Sequence, residues 1–318
     1  MQVNFLNPIK ELVKENEVLA NHSTFKIGGL ARYFAIANTT EEIILLVESA
    51  IKSKLSYVII GGGSNILFND SGFDGLVIKA NNGRLKIKDD TMECEAGVPL
   101  AKAMGESIGA GVGGLEWAAG IPGTIGGAVR GNAGAYGSDM SKNIVQVKIL
   151  RNGKIKELSN KDCEFAYRHS IFKKEGNADI ILSAVLKLEK NNIDESKEKI
   201  KNILKERVLK FKGLCAGCVF KNIEIDDVEM TQFKKQHSDF PDQYVKYRKI
   251  PAAWLIDQCG LKGREIGGAK VSENHAGIII NTGKATAENV IILISIIKQK
   301  VRSTFNLQLM EEIEYIGF

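Results

Sequence analysis

Nothing in this 318-residue chain is apolar for long enough to cross a membrane. The longest predominantly apolar run is Val290–Ile297, well short of the ~20 residues that a span requires. The N-terminal stretch MQVNFLNPIKELVKENEVLA has neither an uninterrupted apolar core nor a small-residue cleavage site, so it does not read as a signal peptide. Strong charge of either sign is also missing. The net charge is +5, with the lysines spread along the chain, which weighs against nucleic acid or a membrane as partner and mildly favours anionic small molecules. Cysteine is scarce: Cys94, Cys163, Cys215, Cys218 and Cys259 are odd in number and irregular in spacing, as expected of free thiols in a reducing, cytoplasmic compartment. Cys215 and Cys218 have C-x-x-C spacing, but no second pair or H-x-x-x-H follows, which argues against a structural zinc. The strand-to-helix setting of a redox disulfide is lacking too. There is no GxGxxG opening a helix inside a βαβ unit, which argues against a Rossmann fold, no GxxxxGKS or GxxxxGKT phosphate loop, and no repeat of fixed period. Composition is otherwise ordinary for a soluble globular protein, 44% hydrophobic and 25% charged, with room for roughly two or three domains.

What the chain does have is glycine in two clusters. Residues 111–139 read GVGGLEWAAGIPGTIGGAVRGNAGAYGSD, and Gly61-Gly62-Gly63-Ser64-Asn65 directly follows the apolar run Tyr57–Ile60. Glycine admits positive φ and lets a ligand lie against main-chain N–H groups. Two such nests suit a phosphate-bearing dinucleotide better than either does alone. The plainer alternative is a set of tight turns between buried strands.

Periodicity indicates an α+β chain. Thr39-Thr40-Glu41-Glu42 is a capping box opening a helix with Ile43, Val47, Ala50 and Ile51 at helical spacing. Strands are expected at residues 57–60, 76–80, 85–87 and 92–96, a hairpin over 144–158 turning at Asn152-Gly153, and a strand at 180–188. Residues 190–206 read as a charged, solvated connector helix near a domain boundary, with Ile200, Ile203 and Leu204 on one face. Pro251 opens a helix that Gly260 stops. A strand falls within 271–281, and Thr286 caps a helix that turns Val290, Leu293, Ile294, Ile297 and Val301 inward. The chain closes on an alternating strand over 307–316, which sets Leu309, Glu311 and Ile313 against Met310, Glu312 and Glu314.

Four places offer chemistry, none of them specific alone. Arg168, in FAYRHS, could hold a carboxylate bidentately, or be a surface arginine. Cys218, Lys221 and Asn222 follow Cys215 within a few residues, where an inert buried thiol is the competing reading. Lys262, Arg264, Lys270 and His275 surround Gly267-Gly268 as a basic loop suited to phosphates, or simply solvated. The glutamates of the last strand would ordinarily face solvent.

Taken in order, the segments NHSTFKIGGLA (21–31), GGGSNIL (61–67), GLEWAAGIPGTIGGAVRGNAGAYG (114–137), YRHSIFK (167–173), AGCVFKN (216–222), AAWLIDQCGLKG (252–263) and IGGAKVSENHAG (266–277), with the closing strand to Gly317, resemble the UDP-N-acetylenolpyruvoylglucosamine reductases, the MurB-type flavoenzymes. The short interval between Arg168 and Cys218 is similar to the subtype without an inserted substrate-covering loop. The resemblance implies a two-part FAD-binding domain of the vanillyl-alcohol-oxidase type over residues 1–190, split near 60–80, and a C-terminal α+β substrate domain over 191–318. It implies non-covalent FAD lined by Thr24, Gly61, Gly62, Gly63, Ser64, Asn65, Gly120, Ile121, Pro122, Gly123, Thr124, Gly126, Gly127, Ala128, Asn132, Ala133, Gly134 and Ala135. It also implies NADPH as co-substrate and UDP-N-acetylglucosamine enolpyruvate as substrate, held by Lys221, Asn222 and His275, in a monomer or weak dimer of peptidoglycan precursor synthesis. Arg168 and Glu312 would act on the substrate carboxylate. The family's proton donor is serine; Cys218 stands in its place, and a thiol is the stronger acid. Met310-Glu311 replaces the usual Glu-Pro, and Ile223 stands where proline commonly follows Lys-Asn. Two other classes compete: an oxidase of 2-hydroxy acids or alcohols on the same fold, and a non-catalytic flavin or nucleotide-sugar binder.

Overall fold

The computed structural model describes residues 9–318; residues 1–8, part of the N-terminal stretch considered above, lie outside them. Four strands form the first sheet, β1 (Val13–Val18), β2 (Leu30–Ala37), β3 (Tyr57–Ile60) and β5 (Phe73–Ala80), in the order β1-β2-β5-β3. β5 runs parallel to both neighbours and β1 antiparallel to β2. Helix α1 (Thr40–Lys52) covers it with Ile43, Leu46, Val47 and Ala50. Ile51, expected on that face, is 53% exposed. At 3.6 residues per turn it sits about 80° round from Ile43, and Leu46 takes the place on the other side of the stripe. Thr39 caps α1 as expected, accepting from the Glu42 N–H. The Glu42 carboxylate instead receives the N–H of Asn38, one residue before the cap.

A second, fully antiparallel sheet is ordered Lys154–Ser159, Ile144–Arg151, Ile180–Lys187, β7 (Thr91–Glu95) and β6 (Leu85–Lys88). Its hairpin turns where the sequence says, with φ of 51° at Asn152 and 71° at Gly153, the doubly positive pair of a type I′ turn. Helices α2 (Leu100–Gly109) and α3 (Ile125–Gly131) pack on it, joining Leu100, Ile125 and Val129 to Met92, Val147 and Leu186 in one core. Helix α4 (Ile193–Lys210) follows, with Ser196 and Ile203 as its buried residues.

The third core is built on the helices Ala252–Gln258 and Ala287–Phe305. Pro251 stands at the N-cap of the first, and Gly260 beyond its end has φ 68°. Thr286 caps the second in a reciprocal capping box with Asn289, and its five expected inward residues are all buried. This core also takes in Phe25, Ile27 and Leu67 from far upstream. The region 271–281 contains parts of two strands, Ala269–Val271 and Ile279–Asn281, paired antiparallel. The closing strand is shorter than the alternation suggests: Glu314–Ile316, parallel to β4 (Ile66–Phe68). The reason is a change of partner. Residues 310 and 312 bond to the 219–221 segment, through Lys221 N–H to Met310 O at 2.9 Å and Glu312 N–H to Val219 O at 2.7 Å, before Glu314 N–H reaches Asn65 O.

Candidate active site

β3 delivers the loop Gly61–Asn65 directly against the start of α3. A Cβ on Gly62 would lie 3.0 Å from Gly123 Cα, and one on Gly61 would lie 2.3 Å from Thr124 Oγ1. The loop is fixed through its carbonyls and side chains. Gly63 O accepts from Thr24 N–H at 3.1 Å, Ser64 Oγ donates to Pro122 O at 2.9 Å, and Asn65 Nδ2 donates to Glu312 O at 3.0 Å. Among the described residues, no protein acceptor meets the N–H groups of Gly62, Gly63, Ser64 and Gly123. Free donors converging from two loops are what a pyrophosphate requires, so these residues fit FAD. Other expected cofactor positions are already engaged. Gly126 N–H bonds to Ala96 O and Ala128 N–H to Thr124 O, while Thr124 Oγ1 caps α3 and the Thr24 hydroxyl donates to Cys215 O. Ile121 N–H closes a turn on Ala118 O.

The segment 132–135 serves the neighbouring arginine. Asn132 ends α3 in the left-handed region, φ 41°, and is 3% exposed. Its side chain donates to Ala166 O and accepts from Ser141 N–H. Ala133 and Gly134 extend this frame, and Gly134 O accepts from Arg168 Nη2 at 2.7 Å. Arg168 itself has φ 53°, a conformation costly for a residue with a Cβ.

Arg168 Nε stands 2.8 Å from Glu312 Oε1, yet it is buried without an aligned hydrogen-bond partner. Burial raises the Glu312 carboxyl above its ordinary value, with Arg168 and Lys173 opposing only in part. Cys218 lies in the same field. Burial first, and then Glu312, push its thiol up to about 12, against the opposing pull of Arg168 and Arg207. Lys221 acts on Glu312 as well. Asn222 joins through its backbone, donating to Tyr167 Oη at 3.2 Å, and its Oδ1 accepts the Ala252 N–H at the start of the next helix. Arg168, Cys218, Lys221, Asn222 and Glu312 are therefore brought together from segments spread over about half of the chain. The three carboxylates of the closing segment are all partly buried and paired rather than left to solvent: Glu312 with Arg168, Glu314 with Lys173 at 2.6 Å and Glu311 with Lys298 at 2.9 Å. His275 stands to one side, stacked on Phe211 with ring centroids 6.2 Å apart. Its Nδ1 is buried and unpartnered, and burial lowers its pKa. Cys215 and Cys218 are both free thiols. A surface groove of about 690 Å³ lies between β6 and α2, lined by residues such as Ile87 and Lys102, and holds none of these groups.

Several neighbours were not legible as site residues. Tyr167 carries Lys249 Nζ 3.4 Å above its ring and receives Asn222; its place beside Arg168 in FAYRHS was the available signal. Glu314 is bracketed by Arg130 at 3.0 Å and Lys173 at 2.6 Å. Arg207 comes from α4, read above as a solvated connector, and is half-buried against Gly120. In a lysine-rich helix nothing marked it out.

The FAD binding domain model matches residues 31–159, and the model of the UDP-N-acetylenolpyruvoylglucosamine reductase C-terminal domain matches residues 210–316. The chain is 36% identical over 322 aligned positions to the UDP-N-acetylenolpyruvoylglucosamine reductase of Caldanaerobacter subterraneus subsp. tengcongensis, covering 98% of both chains. It is 38% identical to that of Bacillus velezensis, covering 96% of this chain and 94% of the other. The crystal structure of the reductase from Thermus caldophilus superposes with a TM-score of 0.75 at 28% identity, over 95% of this chain and 98% of that one. By near-full-length similarity and a shared fold, the chain belongs to the UDP-N-acetylenolpyruvoylglucosamine reductase family of FAD-dependent oxidoreductases.

Proposed function

We propose that this chain reduces UDP-N-acetylglucosamine enolpyruvate to UDP-N-acetylmuramate with NADPH as reductant, and that Cys218 supplies the proton. FAD, when bound, supplies hydride transfer from the nicotinamide to the vinyl CH₂ carbon. The chain's own residues deal with the charge that follows. Negative charge develops on the neighbouring carbon and its carboxylate. Arg168, held by Gly134 O and aimed at Glu312, pairs with that carboxylate. Glu312, its carboxyl raised by burial against the opposing pull of Arg168 and Lys173, helps to polarise the same group. Cys218 remains a protonated thiol at neutral pH. Its S–H bond breaks as the C–H bond forms, the electron pair stays on sulfur, and water later reprotonates the thiolate. Lys221 and His275 serve the diphosphate side. The observation that carries this reading is the half-buried Arg168–Glu312 pair, 2.8 Å between Nε and Oε1, in the same field as the Cys218 thiol. Five free cysteines suit a reducing cytoplasm. We assign residues up to about 190 to the cofactor and the remainder to the substrate, in a monomer or weak dimer.

Anaerobic stopped-flow mixing tests the assignment. NADPH should bleach the flavin of Cys218→Ala at the parent rate, while recovery of colour with the enolpyruvyl sugar nucleotide should slow by about 100-fold or more. Recovery at the parent rate would exclude Cys218 as donor.

A further inference from the structure

The closing segment changes partner at Glu312, and the main chain there needs a donor that neither neighbouring strand supplies. Up to that point it bonds to the 219–221 segment: Glu312 N–H reaches Val219 O, next to Cys218, at 2.7 Å. From Glu314 onward it bonds to β4 and its flanks, with Glu314 N–H on Asn65 O at 2.9 Å and Asn69 N–H on Ile316 O at 2.9 Å. The carbonyl of Glu312 falls in the gap between these two ladders. Among the described residues its one donor is the side-chain amide of Asn65, with Nδ2 at 3.0 Å. A partly buried carbonyl left without a donor is costly, so the amide at this place is not incidental. Asn65 thus grips the chain on both sides of Ile313, by its side chain at Glu312 and by its own carbonyl at Glu314. It is also the last residue of the first glycine nest. The three residues before it, Gly62, Gly63 and Ser64, are those whose N–H groups stand free for the cofactor.

We infer that Asn65 is a positioning residue that acts through Glu312, tying the cofactor nest to the carboxyl that polarises the substrate carboxylate. The two peptide units that meet at the Glu312 Cα are planar and are held separately, one by Val219 O and the other by Asn65 Nδ2. Together these bonds fix φ and ψ of Glu312, and with them the direction in which its side chain leaves the backbone. That side chain ends with Oε1 2.8 Å from Arg168 Nε, and Arg168 is in turn fixed by Gly134 O. Without the Asn65 amide, ψ of Glu312 loses its restraint while the Val219 bond remains, and the carboxyl swings relative to Arg168. A misplacement of about 1 Å in a reacting group can cost as much as about 100-fold. The inference rests on the reading that Glu312 acts on the substrate carboxylate.

Flavin reduction by NADPH and flavin recovery with the enolpyruvyl sugar nucleotide are timed by anaerobic stopped flow in FAD-loaded Asn65→Ala, with Glu312 intact and with Glu312→Gln. Asn65→Ser, which removes the amide but leaves a small polar side chain in the loop, is carried in parallel and should behave alike. With Glu312 intact, recovery should slow by about tenfold or more, while reduction by NADPH stays within about twofold of the parent. A merely structural role would slow both half-reactions. In the Glu312→Gln background the same substitutions should change recovery by less than about twofold, because residues that act as a unit are not additive. Equal slowing of the two half-reactions, or the full loss repeated on top of Glu312→Gln, overturns the inference. Loss of FAD from both Asn65 variants would make Asn65 a cofactor ligand and overturn it as well. Failure of the underlying reading would show separately, as recovery at the parent rate in Glu312→Gln alone.

Discussion

Gly63 is where the loop argument can be tested most severely. Its φ is 64°, and a Cβ would fall 2.0 Å from His22 O, 2.9 Å from Ser23 Cα and 3.0 Å from His22 C. All three are backbone atoms, so no side-chain rotation relieves the overlap. An alanine would carry the left-handed cost of about 1–2 kcal/mol, and the displacement of packed backbone adds about 1–3 kcal/mol. Gly63→Ala should therefore lose about 2–5 kcal/mol. Gly176→Ala is the matched control, with φ 75° and nothing within 4 Å, and should lose only the first part. The displacement also runs into the site. Gly63 O holds Thr24 N–H, and the Thr24 hydroxyl holds Cys215 O at 2.7 Å. The free N–H groups of Gly62–Ser64 would shift with it, weakening FAD by about tenfold or more, or ~1.4 kcal/mol. Urea unfolding of the apoprotein and a flavin absorbance titration measure the two effects. Should Gly63→Ala prove no less stable than Gly176→Ala, the close approach of the two strands of backbone is not what fixes this loop.

Two carboxylates two residues apart should answer pH in opposite senses. Glu312 is raised by burial, so its favourable contribution is present at low pH and is lost as pH rises through its folded-state value. Glu312→Gln should match the parent near pH 4, equal or exceed its stability at pH 8, and slow flavin recovery by about 100-fold; a stability loss confined to pH 8 would contradict this. For Glu314, burial works upward, but Arg130 and Lys173 outweigh it and the net direction is down. Its contribution is present above the unfolded value and is lost as pH falls through the folded one. Glu314→Gln should cost roughly 1 kcal/mol at neutral pH, held low because Arg130 is well exposed, with the gap closing between about pH 5 and 3. Urea titrations at pH 3, 4, 7 and 8 decide both.

The elements that the sequence made legible are those whose cause is local. Thr39, Thr286, Pro251 and Gly260 act within a turn of their own position, and Asn152-Gly153 needs only its two flanking strands. The buried stripe of Ala287–Phe305 follows from the helical period. Ile51 shows the limit of that reasoning: its spacing is admissible, but the width of the stripe that the sheet can cover excludes it. Glu312 illustrates another limit. Alternation puts it with Glu314 and apart from Glu311, as observed, but says nothing about whether that side meets solvent or Arg168.

The residue string by itself determined the α+β character, the helix ends, the hairpin and the two glycine nests, together with the motif order that places the chain in its family. Each depends on neighbours a few positions away or on the identity of short segments. Only the tertiary structure decided that Asn65 would tie the first nest to Glu312, that Asn132 would brace the Arg168 segment rather than present its amide outward, and that α4 would bring Arg207 over Gly120. Those contacts join residues from 34 to 247 positions apart. Their energy depends on which surfaces the whole chain buries together, and no local period records it.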